Sequence, residues 1–156
     1  METINLCDNK DFPKKIGNGS RILGVDPGKK NIGISISDPG QKIATPLKTI
    51  INKKFRIFIE ELNDLILEYE IKGIVIGNPI NMNGSLGPRS QSTKDFAFNV
   101  LKVINLPITL WDERLSSEGA FKLIGDLDIN SSRKSKILNH HAAAFILQGY
   151  LDFLNK

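Results

Sequence analysis

Cysteine occurs once in this chain, tryptophan occurs once, and no apolar run approaches the ~18–20 residues that a membrane-spanning helix needs. The lone Cys7 excludes an intramolecular disulfide framework and a cysteine-built zinc site. The opening METINLCDNKDFPKKIGNGS lacks the apolar stretch of a secretory signal. Together these absences point to a cytoplasmic protein without a membrane partner. Trp111 is a single aromatic on a strand, which reads as core rather than as a platform for stacked bases.

What is present fits one globular domain. The length is 156 residues, with 40% hydrophobic and 24% charged, enough apolar surface for a core and too much for a disordered chain. The net charge is +4, and it is unevenly spread. Residues 21–60 carry eight basic groups against three acidic ones, whereas residues 1–20 are neutral. Lys29, Lys30, Lys48, Lys53, Lys54 and Arg56 make up most of this excess, and Arg133, Lys134 and Lys136 form a second cluster. Such clusters could attract a polyanion, although on charge alone a solvated lysine-rich surface is the better reading of any one of them.

Residues 1–19 are polar and aperiodic, and are expected to form a flexible extension preceding a domain over 20–156. RILGV, ending at Asp26-Pro27-Gly28, is a short apolar strand. GISISD over 33–38 alternates like a strand, and Gln41–Ile51 follows a turn as a third, placed at an edge by Pro46. Phe55, Phe58, Leu62, Leu65, Ile66 and Tyr69 recur at helical spacing. Gly73–Gly77 is an apolar strand of the kind buried in a parallel sheet. Residues 78–91 read as a long Gly/Pro/Asn loop, Ser92–Ile104 as a helix, and Pro107–Trp111 as a strand. Helices over about Leu115–Ile124 and Arg133–Leu154 complete the chain. The expected fold is α/β: one five-stranded mixed sheet, an antiparallel three-strand meander plus two parallel strands, flanked by helices.

Three carboxylates fall at strand ends. Asp26 closes the first strand, and Asp112 and Glu113 close the last. Ligand sites in sheets with parallel strands form at such ends. Grouped carboxylates repel unless a cation is present, and hard cations such as Mg²⁺ or Mn²⁺ prefer oxygen ligands. Each acid could equally cap a helix or pair locally, as Asp112 with a following helix or with Arg114.

The segments ILGVDPGKKNIGISISD, IVIGNPINMNGSLGPRSQ, WDERLSSEGA and HHAAAFILQGYLD, in this order, resemble the YqgF/RuvX family of Holliday junction resolvases and pre-16S ribosomal RNA nucleases. The resemblance covers about Arg21–Asp152. It implies a ribonuclease H-like fold and phosphodiester cleavage with Mg²⁺ or Mn²⁺, two ions being expected. The family's acids fall on Asp26, on Asp112 and Glu113, and on Asn139, where relatives usually carry Asp. Asn78 and Ser116-Ser117 are smaller departures.

On this reading Asp26, Glu113, Asp112 and Asn139 are the catalytic candidates, with Asp26, Glu113 and Asn139 the metal ligands. The sequence leaves open which of Asp112 and Glu113 reaches the metal. Lys29, Lys30, Arg89 and Arg114 are the candidate nucleic-acid contacts. His141 shares a helical face with Leu138, Ala142 and Phe145 and reads as a half-buried structural histidine, not a proton carrier. The expected partner is a structured ribosomal RNA precursor or branched DNA, with ribosomal particles as further partners. A binding protein with a weakened site, which Asn139 suggests, is the competing class. An actin-like or sugar-kinase ATPase would need two such domains around a nucleotide.

Overall fold

Residues 5–79, 87–113 and 131–156 are described by a computed structural model, the side chains of 131–140 excepted. The first expected strand forms over Arg21–Pro27 (β2), and the alternating stretch forms Asn31–Ser37 (β3). Ala44–Ile51 (β4) completes an antiparallel meander. Ile71–Asn78 (β5) and Ile108–Asp112 (β6) join β2 in parallel. Strand order places β2 centrally, between β5 and β3, and β4 at an edge, where Pro46 costs no ladder bond to a further strand.

The sheet has six strands rather than five. The sixth, Leu6–Cys7 (β1), pairs in parallel with β6 at the far edge. The N-terminal stretch was expected to be loose, yet over these residues it is built into the fold. Phe12–Ile16 forms a short helix (α1), with Phe12 fully buried. Phe12 meets Tyr150 edge to face, with ring centroids 5.6 Å apart. Gly73 makes room for it: a Cβ there would lie 2.6 Å from both Phe12 Cζ and Ile16 Cγ2. A two-residue strand has no periodicity to read, and two apolar residues among charges give a weak helical signal.

Two apolar layers hold the sheet. Phe55–Tyr69 (α2) and Pro88–Leu101 (α3) cover one face, where Leu23, Val25, Ile74, Ile76, Phe58 and Leu62 pack. Ser131–Leu154 (α4) and α1 cover the other, with Ile22, Val75, Trp111, Leu147 and Tyr150. Each such side chain, once buried, contributes about 1.5–3 kcal/mol over leaving it in water. The strand period of two explains the partition: Leu23 and Val25 face α2, whereas Ile22 and Gly24 face α4. Trp111 belongs to this core, in contact with Tyr150 and Phe153.

Helix α3 begins four residues before its expected start, because Gly87-Pro88 is a helix entry and not part of the loop. Pro88 occupies the first turn, where its missing N–H costs nothing. Arg89 therefore stands on a helix, not in a loop. The expected helix over 115–124 lies outside the described residues. Among the described residues no helix is long and apolar enough to cross a membrane.

Candidate active site at the strand ends

The close approach of α4 sets the geometry of the site. Gly24 of β2 leaves space that a Cβ would take from Ser35 Oγ, from Leu147 Cβ at 2.8 Å and from the Ala143 carbonyl at 3.1 Å. The buried Ser35 hydroxyl donates to that carbonyl at 2.7 Å, pinning the helix to β3. Ala143 lies over Gly33, and a Cβ on Gly33 would be 3.5 Å from Ala143 Cβ and 3.7 Å from Asp26 Cβ. The α4 backbone thus meets the sheet next to the residue that carries the first acid.

Asp26 and Glu113 come from β2 and from the end of β6, with β5 between them. Glu113 is fixed by its own N–H, which donates to the Asn78 carbonyl at 3.1 Å. Between the two strands β5 presents Gly77, and the Ile146 side chain of α4 and the Glu113 side chain pack over it. A Cβ on Gly77 would fall 3.2 Å from Glu113 Cγ and 2.5 Å from Ile146 Cδ1. Burial and the facing Asp26 carboxylate push the Glu113 carboxyl up to about 7, with a smaller upward push from Asp112. Burial also raises Asp26, and the Arg89 guanidinium opposes the rise at both acids. Two desolvated acids and one cation therefore share a single electrostatic environment.

Asp112 lies in register with Asn78. The buried Asn78 amide oxygen accepts from the fully buried Ser90 hydroxyl of α3 at 3.0 Å. The α2/α3 face is thus the one toward Asn78, and Asp112 is its register partner. Glu113, with its side chain against Gly77 and Ile146, belongs with Asp26 on the α4 face. Glu113, and not Asp112, thus shares a face of the sheet with Asp26.

Lys29 and Lys30 are exposed in the tight turn between β2 and β3. Asn52 holds that turn: its amide N–H donates to the Gly28 carbonyl and its backbone N–H to the Lys30 carbonyl, both at 2.8 Å. Lys53 and Lys54, also exposed, follow Asn52 directly. A cleft of about 220 Å³ opens between this turn and α3, lined in part by Lys29, Asn52, Arg89 and Phe96. Arg89 thus lines the cleft while its charge acts on both acids.

Asn139 belongs to α4, one turn before Ala143, but its side chain lies outside the described residues, as does the whole of Arg114. His141 is half-buried, with its ring centroid 6.3 Å from that of Phe145, as a structural histidine would be. The sequence did not mark Asn52, Ser90 or Phe96 as site residues. Only Asn78 carried a signal, as an amide directly after an apolar strand.

Two neighbouring carboxylates without sulfur or imidazole form a donor set suited to a hard divalent cation, whose charge would relieve their mutual repulsion. Among the described residues no group of three or more His, Cys, Asp or Glu side chains converges as a complete metal cage. Asp26 and Glu113 are the two carboxylates that the described residues place on one face here.

This sheet order and helix placement define a ribonuclease H-like fold. RuvC of Thermus thermophilus in complex with a Holliday junction substrate superposes with a TM-score of 0.55 at 12% identity, over 88% of this chain and 97% of that one. A second T. thermophilus RuvC structure gives 0.51 at 9% identity, over 86% of this chain and 95% of that one. The sequence pattern of the RuvX family, described as Holliday junction resolvase, matches residues 20–153, and the chain belongs to that family. Its class is that of a nuclease, a hydrolase of phosphodiester bonds. A relative in Pelagibacter ubique, provisionally named a pre-16S rRNA nuclease, is 51% identical over 94% of this chain and 97% of its own length. One of the same name in Rhodobacter capsulatus is 44% identical over 92% of this chain and 91% of its own.

Proposed function

We propose that this protein is a divalent-metal-dependent nuclease of the cytoplasm that trims the 5′ end of pre-16S ribosomal RNA, acting on the free precursor or on an assembling ribosomal particle. The observation that carries this reading is the Asp26–Glu113 pair, set on one face of the sheet and within the field of Arg89. The names carried by the relatives at 51% and 44% identity support the choice of RNA substrate.

Asp26 and Glu113 would hold Mg²⁺ or Mn²⁺, and Asn139 would lend a neutral amide oxygen from α4. Two such cations, when bound, would activate a water and stabilise the leaving oxygen of the phosphodiester. Glu113 must give up its proton for this, so the pair is poised to ionise as a cation arrives. Asp112, on the opposite side of the strand end, positions Glu113 through the backbone rather than facing Asp26. Arg89 and Lys29 would hold the phosphates flanking the scissile bond, with Lys30 and Arg114 as outer contacts.

Holliday junction cleavage is the second reading, favoured by the description of the family itself. A labelled pre-16S precursor and a four-way DNA junction, incubated side by side with and without Mn²⁺, test both. Metal-dependent cleavage confined to the precursor 5′ end is expected, and Asp26→Asn should abolish it while leaving binding in place. Cutting of the junction alone would transfer the assignment to the second reading. Binding to either without cutting would leave only a nucleic-acid-binding role.

A further inference from the structure

The cleft beside the acid pair has features that phosphate binding alone does not use. It places two cations, Lys29 and Arg89, next to an aromatic wall, Phe96, and to polar groups from Asn52 and Ser92. Phe96 is half-buried and held from behind by Phe55 and Phe58, with centroids 6.4 and 5.5 Å away, so the wall is in place before a ligand arrives. Asn52 donates one amide N–H to the Gly28 carbonyl, which fixes its side chain at the edge of the cleft that it lines. At about 220 Å³ the cleft falls below the ~300–1,000 Å³ of drug-sized ligand sites and has room for one ring system. Pro27 and Gly28, which directly follow Asp26, form part of its lining.

We propose that this cleft receives one unpaired nucleotide next to the scissile phosphate, its base against Phe96 and its phosphate between Lys29 and Arg89. A base within a duplex is stacked on both sides and cannot enter a one-ring cleft without leaving its helix. A nucleotide that is already unpaired avoids that cost, so the enzyme selects strands with an unpaired position beside the cut. The aromatic wall supplies affinity without demanding one base, because every base has a π-face. Arg89 links the cleft to the acid pair, which fixes the distance from the captured base to the cut. This proposal rests on the nuclease reading for its scissile phosphate, whereas the capture of the base stands on the cleft alone.

The test uses the full chain carrying Asp26→Asn and short single-stranded RNA probes, in which one position at a time bears an abasic site or 2-aminopurine. One position is expected at which loss of the base weakens binding about tenfold and 2-aminopurine changes its fluorescence on binding. That penalty should vanish in Phe96→Leu, which keeps an apolar side chain behind the cleft but removes the ring. Pairing the same strand into a full duplex should cost similar affinity, and one unpaired nucleotide at that position should restore it. A penalty equal at every position, or one unchanged in Phe96→Leu, would overturn the proposal. If the native chain cuts neither the pre-16S precursor nor a four-way junction with Mn²⁺ while the position-specific penalty persists in these probes, the nuclease reading fails and the cleft assignment stands.

Discussion

Glu113 lies on the same face of the sheet as Asp26, one strand away, with its side chain over Gly77 of the intervening β5. The consequence is a matched pair of effects: each acid is desolvated, and the negative charge of Asp26 raises the proton affinity of Glu113. A glycine in the interior of a strand weakens it through lost packing and added chain entropy. Here it leaves the space that the Ile146 and Glu113 side chains fill.

Gly77→Ala tests that reading. The added methyl would lie 2.5 Å from Ile146 Cδ1 and 3.2 Å from Glu113 Cγ, so Ile146 must move or the Glu113 side chain must turn aside. Overpacking of this kind costs about 1–3 kcal/mol, which urea denaturation would register. Cleavage should fall about tenfold or more beyond any loss of folded protein, because a positioning error of about 1 Å can cost ~100-fold. Nucleic-acid binding, measured on the same samples, should stay near normal.

Without divalent cations, stability should fall as the pH rises. Glu113 holds its proton up to about 7 in the folded protein and to 4.5 in the unfolded chain, so the folded state binds more protons between those values. The protonated pair therefore contributes stability that is full below about pH 4.5 and lost as pH climbs through about 7, on the order of 1–3 kcal/mol. Asp26, also raised, acts in the same direction. Urea midpoints measured in chelator across this window check the slope. Glu113→Gln should flatten it, and saturating Mg²⁺, which favours the ionised pair, should do the same in the native chain.

The strands around the site were legible because β2 and β5 are short apolar runs bounded by turn residues and β3 alternates, and Pro46 correctly marks an edge. Asp26 and Glu113 were legible for the same reason, since a strand end in this topology faces a common crevice. The part that was not legible depends on contacts distant in sequence. Nothing local announces that Phe12 packs on Tyr150, or that Gly73 has no side chain so that Phe12 can fit. The start of α3 was hidden by chemistry shared between loops and helix entries, Gly followed by Pro, and with it the placement of Arg89 on a helix. The division of labour between Asp112 and Glu113 depends on which face of the sheet each one takes, which requires the register of β5 and β6.

Lys29 and Lys30 sit exposed in a turn held by Asn52, next to the cleft and the acid pair. Each phosphate neutralised on a single strand contributes roughly −0.7 to the slope of log K against log salt, and roughly −0.9 on duplex DNA. Replacing both lysines with alanine should flatten the slope by about one to two such increments and leave the folded stability within ~0.5 kcal/mol, as expected for exposed side chains. Fluorescence titrations of an RNA strand over a salt series supply the slope. An unchanged slope would remove this turn from the interface.

Ser90 is the side chain through which α3 is tied to the end of β5, and Arg89 precedes it directly. Its hydroxyl donates to the Asn78 amide oxygen at 3.0 Å, with Ser90 fully buried and Asn78 nearly so. Ser90→Ala leaves that oxygen without its donor in a site closed to water, which costs about 1–3 kcal/mol. The first turn of α3 loses its anchor as well, and the Arg89 guanidinium drifts from the acids it now stabilises in their charged form. The kinetic signature should be a raised KM with a smaller change in kcat, since Arg89 holds substrate rather than reacting. Asn78→Leu combined with Ser90→Ala removes both partners of the bond, so the pair should cost less stability than the sum of the single changes. The KM defect should nevertheless persist in the double variant, because the apolar replacement restores packing but not the tie between helix and strand. Additive stabilities would show that the two side chains do not depend on one another, and a KM restored in the double variant would show that Arg89 is held by something other than this bond.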